Sequence, residues 1–309
     1  MAIDDNFADL ALEHPDWADS ERWAAFELLL ASADGLVVTT DALARRYAPH
    51  SARIEVVPNA LDERLLARGW RRSATERLAE ARSMADGTNR PVTIGYMGTY
   101  THASDLRLVA PALEAVSRRH GEGVRIQLLG VASEADAVDA LAGIPHELVH
   151  PDHRQALYPL FLPWFLRRFR WDIALAPLRD TPFNAAKSDV KFLDYAALGA
   201  AGVFSRHPAY ATVRHGVTAW LAGDDPAEWQ DAIEGWIAAP PERERVALAA
   251  RAYLTDERTL ERCGSRLADS LERLAAAIAP RRRPARASRP KVHVLYEYGA
   301  DARPHASSV

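Results

Sequence analysis

The chain has 309 residues, of which 48% are apolar and 26% charged, a balance that supports a buried core and about two domains at ~150 residues each. A formal net charge of −4 argues against bulk nucleic-acid binding, and Cys263, the sole cysteine, excludes an intrachain disulfide or a thiolate-rich zinc site. The start, "MAIDDNFADL", is acidic where a signal peptide is basic, and the longest apolar run, "ALYPLFLPWFL" (156–166), is shorter than the ~18 residues of a membrane span and holds prolines, so a reducing, cytoplasmic setting is expected.

In chain order, periodicity predicts a helix over 17–33, with Trp23, Phe26, Leu29 and Leu30 on one stripe. The β-branched run "GLVVTT" (35–40) reads as a buried strand, and "DALARRYA" after it as a helix capped by Thr40 or Asp41. "RIEVVPNALD" (53–62) gives another strand, stopped by Pro58 and Asn59. A second alternation follows: strand 92–97, helix 104–119, strands 124–129 and 172–176, helix 189–199, strand 202–205, then helices 226–239 and 242–277. Pro111 inside the first of these helices predicts a short first turn before the main helix. This order predicts an α/β fold, a Rossmann-like parallel sheet with helices on both faces, and ligands at the carboxyl ends of its strands. "PRRRPARASRPK" (280–291) reads as a basic, proline-rich linker, and "VHVLYEY" (292–298) as the opening strand of a further α/β domain.

Two stretches carry candidate chemistry. "NAAKSDVKFLDYAALGA" (184–200) follows the apolar "DIALAPL" (172–178), a strand that delivers the chain to the sheet's carboxyl edge. Phe183 and Asn184 turn the chain, and Ser188 or Asp189 can cap the next helix. Lys187, Lys191, Asp194 and Leu198 fall at i, i+4, i+7 and i+11, one helical stripe, beside a stripe of Val190, Leu193 and Ala197 that can face the sheet. A helix N-terminus attracts anions, and two lysines there strengthen its hold on a diphosphate, with Asp194 spaced to accept sugar hydroxyls. The same spacing also fits an ordinary exposed face in which the lysines pair with Asp189 and Asp194. The second stretch, "IGYMGTYTHASDL" (94–106), is a strand, a glycine turn at Gly98 and Thr99 that lets backbone approach a ligand, and a helix start at Ser104. His102 in this loop can donate to a phosphate or a sugar hydroxyl.

Taken with "ADGLVVTTDALARRYA", "IEVVPNALD" and "YATVRHGVTAWLAGDDPAEWQDAI", these stretches resemble GT-B glycosyltransferases, in particular the retaining, family-4-like enzymes with a C-terminal nucleotide-sugar donor domain. The resemblance covers about residues 30–260 and is carried chiefly by the "N..KSD.KFLDYAALG" block. It implies two Rossmann-like domains with the site between them, a nucleoside-diphosphate sugar as donor substrate, no cofactor and no essential metal. It implies that Gly98 and Thr99 lie near the diphosphate, that Lys187 and Ser188 contact phosphate, and that Asp194 replaces a glutamate on the donor ribose, with Lys191 and Asn184 in the same block. Lys187 and His102 are the implied catalytic pair, aiding departure of the diphosphate. Two features depart from the pattern. Ala186 stands where many relatives have the first glutamate of a Glu-x(7)-Glu pair, and the basic pair after the first donor-side strand is missing unless His102 substitutes.

The resemblance also sets the expected domains: 1–56 a remnant of an N-terminal acceptor-side domain, 57–278 the donor-binding domain, 279–291 the linker and 292–309 the start of another domain. "AIDDNF" resembles an internal segment of such N-terminal domains, so the chain reads as a piece of a longer multi-domain enzyme. The expected activity is hexosyl transfer, as in polysaccharide biosynthesis, to an unknown glycan, lipid or protein acceptor, with no nucleic acid as partner and a peripheral membrane contact left open. A non-catalytic nucleotide-sugar-binding module is the alternative. A dehydrogenase or epimerase is disfavoured, because no G-x-G-x-x-G follows the first strand.

Overall fold

The protein is described by a computed structural model for residues 1–13, 21–70, 90–98, 103–130, 141–155 and 157–278. Its elements form two parallel sheets. The first has the order β1 (Ala2–Ile3), β2 (Leu36–Val38), β3 (Ile54–Val56), with helices α1 (Phe7–Glu13), α2 (Glu21–Ser32) and α3 (Asp41–Tyr47) between and beside the strands. Thr40 caps α3, accepting a hydrogen bond from the Leu43 amide at 3.1 Å. Of the helix predicted over 17–33, α2 shows residues 21–32, while 17–20 lie outside the described residues; the strand expected before Pro58 is β3.

After α4 (Glu63–Trp70) the chain builds the second sheet from β4 (Val92–Met97), β5 (Val124–Leu129), β6 (Glu147–Val149), β7 (Ile173–Ala176), β8 (Ala201–Ser205) and β9 (Trp220–Ala222). Its order is β6-β5-β4-β7-β8-β9, every pair parallel, so the chain reverses direction across the sheet between β4 and β7. That is the topological switch point, the place where open α/β sheets bind ligands. The helices are α5 (Ala103–His120), α6 (Tyr158–Arg168), α7 (Pro182–Ala185), α8 (Val190–Leu198), α9 (Pro226–Ala238), α10 (Pro240–Glu257) and α11 (Leu260–Ala277). α5 runs unbroken through Pro111, without the separate first turn expected there.

Both faces of this sheet are covered, as a parallel sheet requires. Ile94, Tyr96, Ile173, Leu175 and Val203 pack with Leu113 of α5 and Trp229 and Ile233 of α9. The alternate positions Ala174, Ala176 and Phe204 pack with Phe165 of α6, Phe192 and Leu193 of α8 and Leu66 of α4. Gly95 in β4 has the Trp171 ring against it: an added Cβ would lie 1.8 Å from that ring.

The helix predicted over 242–277 is two helices. No glycine or proline stands at the break (Gly264 lies inside α11), yet Arg258 and Thr259 leave the helical path. The amide of Leu61 donates to the Arg258 carbonyl and the amide of Leu260 to the Leu61 carbonyl, both at 2.9 Å, forming a small parallel bridge with the segment that joins the sheets. α11 then returns to the first sheet, where Arg273 pairs with Glu55 of β3 at 2.6 Å. Among the described residues no helix is long and apolar enough to cross a membrane; "ALYPLFLPWFL" forms most of α6. The linker and final strand expected beyond residue 278 lie outside the described residues.

Candidate functional site

β4 and β7 end side by side, and the side chain of Tyr195 fixes both ends. Its hydroxyl accepts from the Met97 amide at 3.1 Å and donates to the Leu175 carbonyl at 2.9 Å. Beyond β7, Asp105 in the first turn of α5 gathers the loop: one of its oxygens accepts from the Arg179 amide at 2.9 Å and from Asn184 Nδ2 at 3.1 Å. Asn184 Nδ2 also donates to the Arg179 carbonyl at 3.0 Å, so both of its amide hydrogens are engaged and it holds the loop rather than offering that group to a ligand.

The loop next docks on the small sheet. Phe183 and Ala186 enter that sheet's core with Ile3, Phe7 and Val38. Asn6 Nδ2 donates to the Pro182 carbonyl at 3.3 Å, and the Thr40 hydroxyl donates to the Ala186 carbonyl at 3.0 Å. Lys187 emerges between the two sheets, its Nζ 3.3 Å from Asp5 Oδ2 and 4.1 Å from the centroid of the Phe183 ring.

Lys187 therefore precedes α8 and does not share a helical stripe with Lys191. The turn through Ser188 and Asp189 moves it off the axis, because both residues are held from outside. Ser188 Oγ accepts from Asn59 Nδ2 at 2.8 Å. Asp189 occupies the N-cap position but makes no side-chain cap; its carboxylate accepts from Arg258 at 2.7 and 2.8 Å and from the Thr212 hydroxyl. Arg258 and Asp189 are both buried, and Arg258 adds bonds to the Asn59 carbonyl and to the Tyr253 hydroxyl.

Lys191 and Asp194 lie on α8 proper, and neither is on a solvated face. The Lys191 ammonium is buried with no hydrogen-bond partner among the described residues, 5.6 Å from the centroid of the Tyr96 ring. Burial pushes it down to about 8, the Lys187 charge adds to that, and Asp105, Asp194 and Asp5 act against it. Asp194 is 3% exposed and accepts from the Tyr158 hydroxyl at 2.6 Å. Burial raises its carboxyl to about 7, while Tyr158 and Lys191 favour the charged form. The exposed-face reading of this helix is thereby corrected: Asp194 is buried against Tyr158 of α6, and the Lys191 ammonium is buried over Tyr96 of β4.

Gly98 also differs from expectation. Its amide donates to the Leu129 carbonyl at 3.0 Å, continuing the β4–β5 ladder instead of pointing at a ligand. Thr99 and His102 lie outside the described residues. Asp5, Asp105, Tyr158, Tyr195 and Arg258 were not singled out from the sequence. An acidic residue in the first turn of a helix leaving the switch point was a usable sign for Asp105; the others are joined to the block only by the fold. Among the described residues no group of three His, Cys, Asp or Glu side chains is arranged to hold a metal ion.

No protein-family profile and no curated protein matches the sequence. Solved structures do match. Anabaena HepE in complex with UDP and glucose is 14% identical with a TM-score of 0.60, over 88% of this chain and 70% of that one. Sucrose-phosphate synthase from Thermosynechococcus elongatus is 13% identical with a TM-score of 0.60, over 90% and 68%. WaaG, a glycosyltransferase involved in lipopolysaccharide biosynthesis, is 12% identical with a TM-score of 0.60, over 87% and 73%. These structures have the GT-B glycosyltransferase fold, and the fold of this chain is the same, spanning about 70% of their length.

Proposed function

We propose that the chain binds the diphosphate of a nucleoside-diphosphate sugar at the start of α8 and supplies the donor side of a glycosyltransferase. One observation carries this reading: two ammonium groups, Lys187 just before α8 and the buried Lys191 in its first turn, stand close enough for one charge to act on the other at the switch point of a parallel sheet. The first amides of a helix lack helical acceptors, and a buried ammonium without a partner is costly until an anion meets it. The likeness to HepE, solved with UDP and with UDP-glucose, supports the choice of anion.

In this reading Lys187, Ser188 and Lys191 hold the diphosphate, and their hold tightens as negative charge develops on the departing group. Asp194 accepts a ribose hydroxyl while Tyr158 steadies its other oxygen, since a carboxylate has room for more than one donor. Asn184 positions the loop through Asp105. Gly98 follows β4 directly; Thr99 and His102 lie outside the described residues, and the roles given to them rest on the sequence alone. The acceptor is a glycan, lipid or protein carrying a hydroxyl.

A second reading, a nucleotide-sugar-binding module without transfer, is favoured by Ala186. Its side chain is buried in the small sheet's core at the position where the resemblance leads one to expect a carboxylate. Calorimetry with UDP and GDP tests binding. Turnover of a panel of labelled nucleotide sugars then separates the readings: binding with transfer or hydrolysis supports the enzyme, and binding alone the module.

A further inference from the structure

The pair between Lys187 and Asp5 joins residues 182 positions apart and comes from opposite sheets. It is a built contact. Asp5 lies two residues beyond the end of β1, and its Oδ1 accepts from the Asn6 amide at 2.9 Å, which orients Oδ2 toward Lys187 at 3.3 Å. The same turn carries Asn6, which donates to Pro182, while Thr40 from the neighbouring turn fastens Ala186, so both ends of the loop are anchored beside the pair. The two side chains are only 13% and 14% exposed, a setting in which water screens the pair less than on an open surface.

A lysine already neutralised by a fixed carboxylate meets a diphosphate only by exchange. The incoming anion and Asp5 repel each other and compete for one ammonium. We infer that Asp5 is the intramolecular occupant of the donor's anion subsite: it holds Lys187 in place, yields it to a nucleoside diphosphate, and so sets donor affinity from the opposite sheet. On release, the Asp5 carboxylate stands free on the small-sheet side of Lys187, able to accept a hydrogen bond from a hydroxyl. The inference rests on the reading of Lys187 as a phosphate ligand, and the test separates the two.

Affinities for UDP and inorganic pyrophosphate are measured by calorimetry on the full chain, on Asp5→Asn, on Lys187→Met and on the double variant. Removal of a partly buried competitor is expected to tighten both ligands about three- to tenfold in Asp5→Asn. The gain should vanish in the Lys187→Met background, since the competition is for that ammonium; a gain that persists there reflects net charge alone and overturns the inference. Unchanged or weaker binding in Asp5→Asn overturns it as well. If Lys187→Met binds both ligands as the parent does, the phosphate reading of Lys187 fails. If Lys187→Met loses affinity while Asp5→Asn gains none, only the exchange fails. Should thermal melting show Asp5→Asn unfolded at the assay temperature, Asp5→Ser carries the same comparison.

Discussion

Arg258 grips Asp189 with both terminal nitrogens, at 2.7 and 2.8 Å, and with the same guanidinium reaches the carbonyl of Asn59 at 2.8 Å. One side chain thus joins the start of α8, the segment between the sheets and the return of the chain toward the small sheet. A charge this deeply buried is tolerable only when paired and fully bonded. The shape of the Lys187–Ser188–Asp189 turn depends on it.

Loss of one partner should therefore be costly. Arg258→Met leaves Asp189 buried and uncompensated, and a drop of about 3–5 kcal/mol in unfolding free energy is expected. Urea titration measures it. A drop below about 1 kcal/mol, the worth of an exposed pair, contradicts the assigned role. Arg258→Met combined with Asp189→Asn should recover part of the loss, because no lone charge remains.

Lys191 gives the site a pH dependence. Burial holds it at about 8, below the ordinary lysine value of 10.5, so the ammonium is charged below about 8 and neutral above it. Affinity for UDP should fall as pH rises through that value, because a neutral amine no longer attracts phosphate. The stability contribution has the opposite slope. Between about 8 and 10.5 the unfolded chain holds a proton that the folded one has lost, so stability from this group rises with pH across that window. Asp194→Asn removes a nearby negative charge and should move the midpoint of the binding profile to lower pH. A profile for Lys191→Met as steep as the parent's shows that another group titrates.

Tyr158 and Asp194 should act together on the nucleoside and not on the phosphates. Asp194→Ala is expected to weaken UDP or GDP binding more than Asp194→Asn, which keeps the size and some hydrogen bonding. Tyr158→Phe removes the donor at 2.6 Å and should weaken the same ligands in the same direction. Below the Lys191 midpoint, where that ammonium stays charged in every variant, pyrophosphate binding should change little in all three. Equal losses for nucleoside diphosphates and pyrophosphate contradict the ribose assignment.

Much of the second sheet was legible in the sequence. The strands expected at 92–97 and 124–129 coincide with β4 and β5, because short runs rich in β-branched and apolar residues, VTIGYM and VRIQLL, are bounded by turn residues. β1, with two residues, and β6 and β9, with three each, carry no such signal and exist through pairing with a neighbour already in place. In the site, the residue types of the 184–200 block were visible, and their geometry was not. Helical spacing put Lys187 on one stripe with Lys191, but Asn59 and Arg258, 129 and 69 positions away from Ser188 and Asp189, hold the turn that separates them. Burial of Asp194 depends on α6, an aromatic helix whose packing a one-dimensional pattern does not reveal. The break at Arg258 and Thr259 likewise comes from a bridge to Leu61, not from any helix-breaking residue.

If Lys187 holds the donor diphosphate, calorimetry of Lys187→Ala with UDP and GDP will register its loss. A loss of about 1.5–3 kcal/mol in binding free energy is expected, the range for a hydrogen bond to a charged group. Unchanged affinity for every ligand that the parent protein binds would contradict it and leave Lys187 as no more than the ion-pair partner of Asp5.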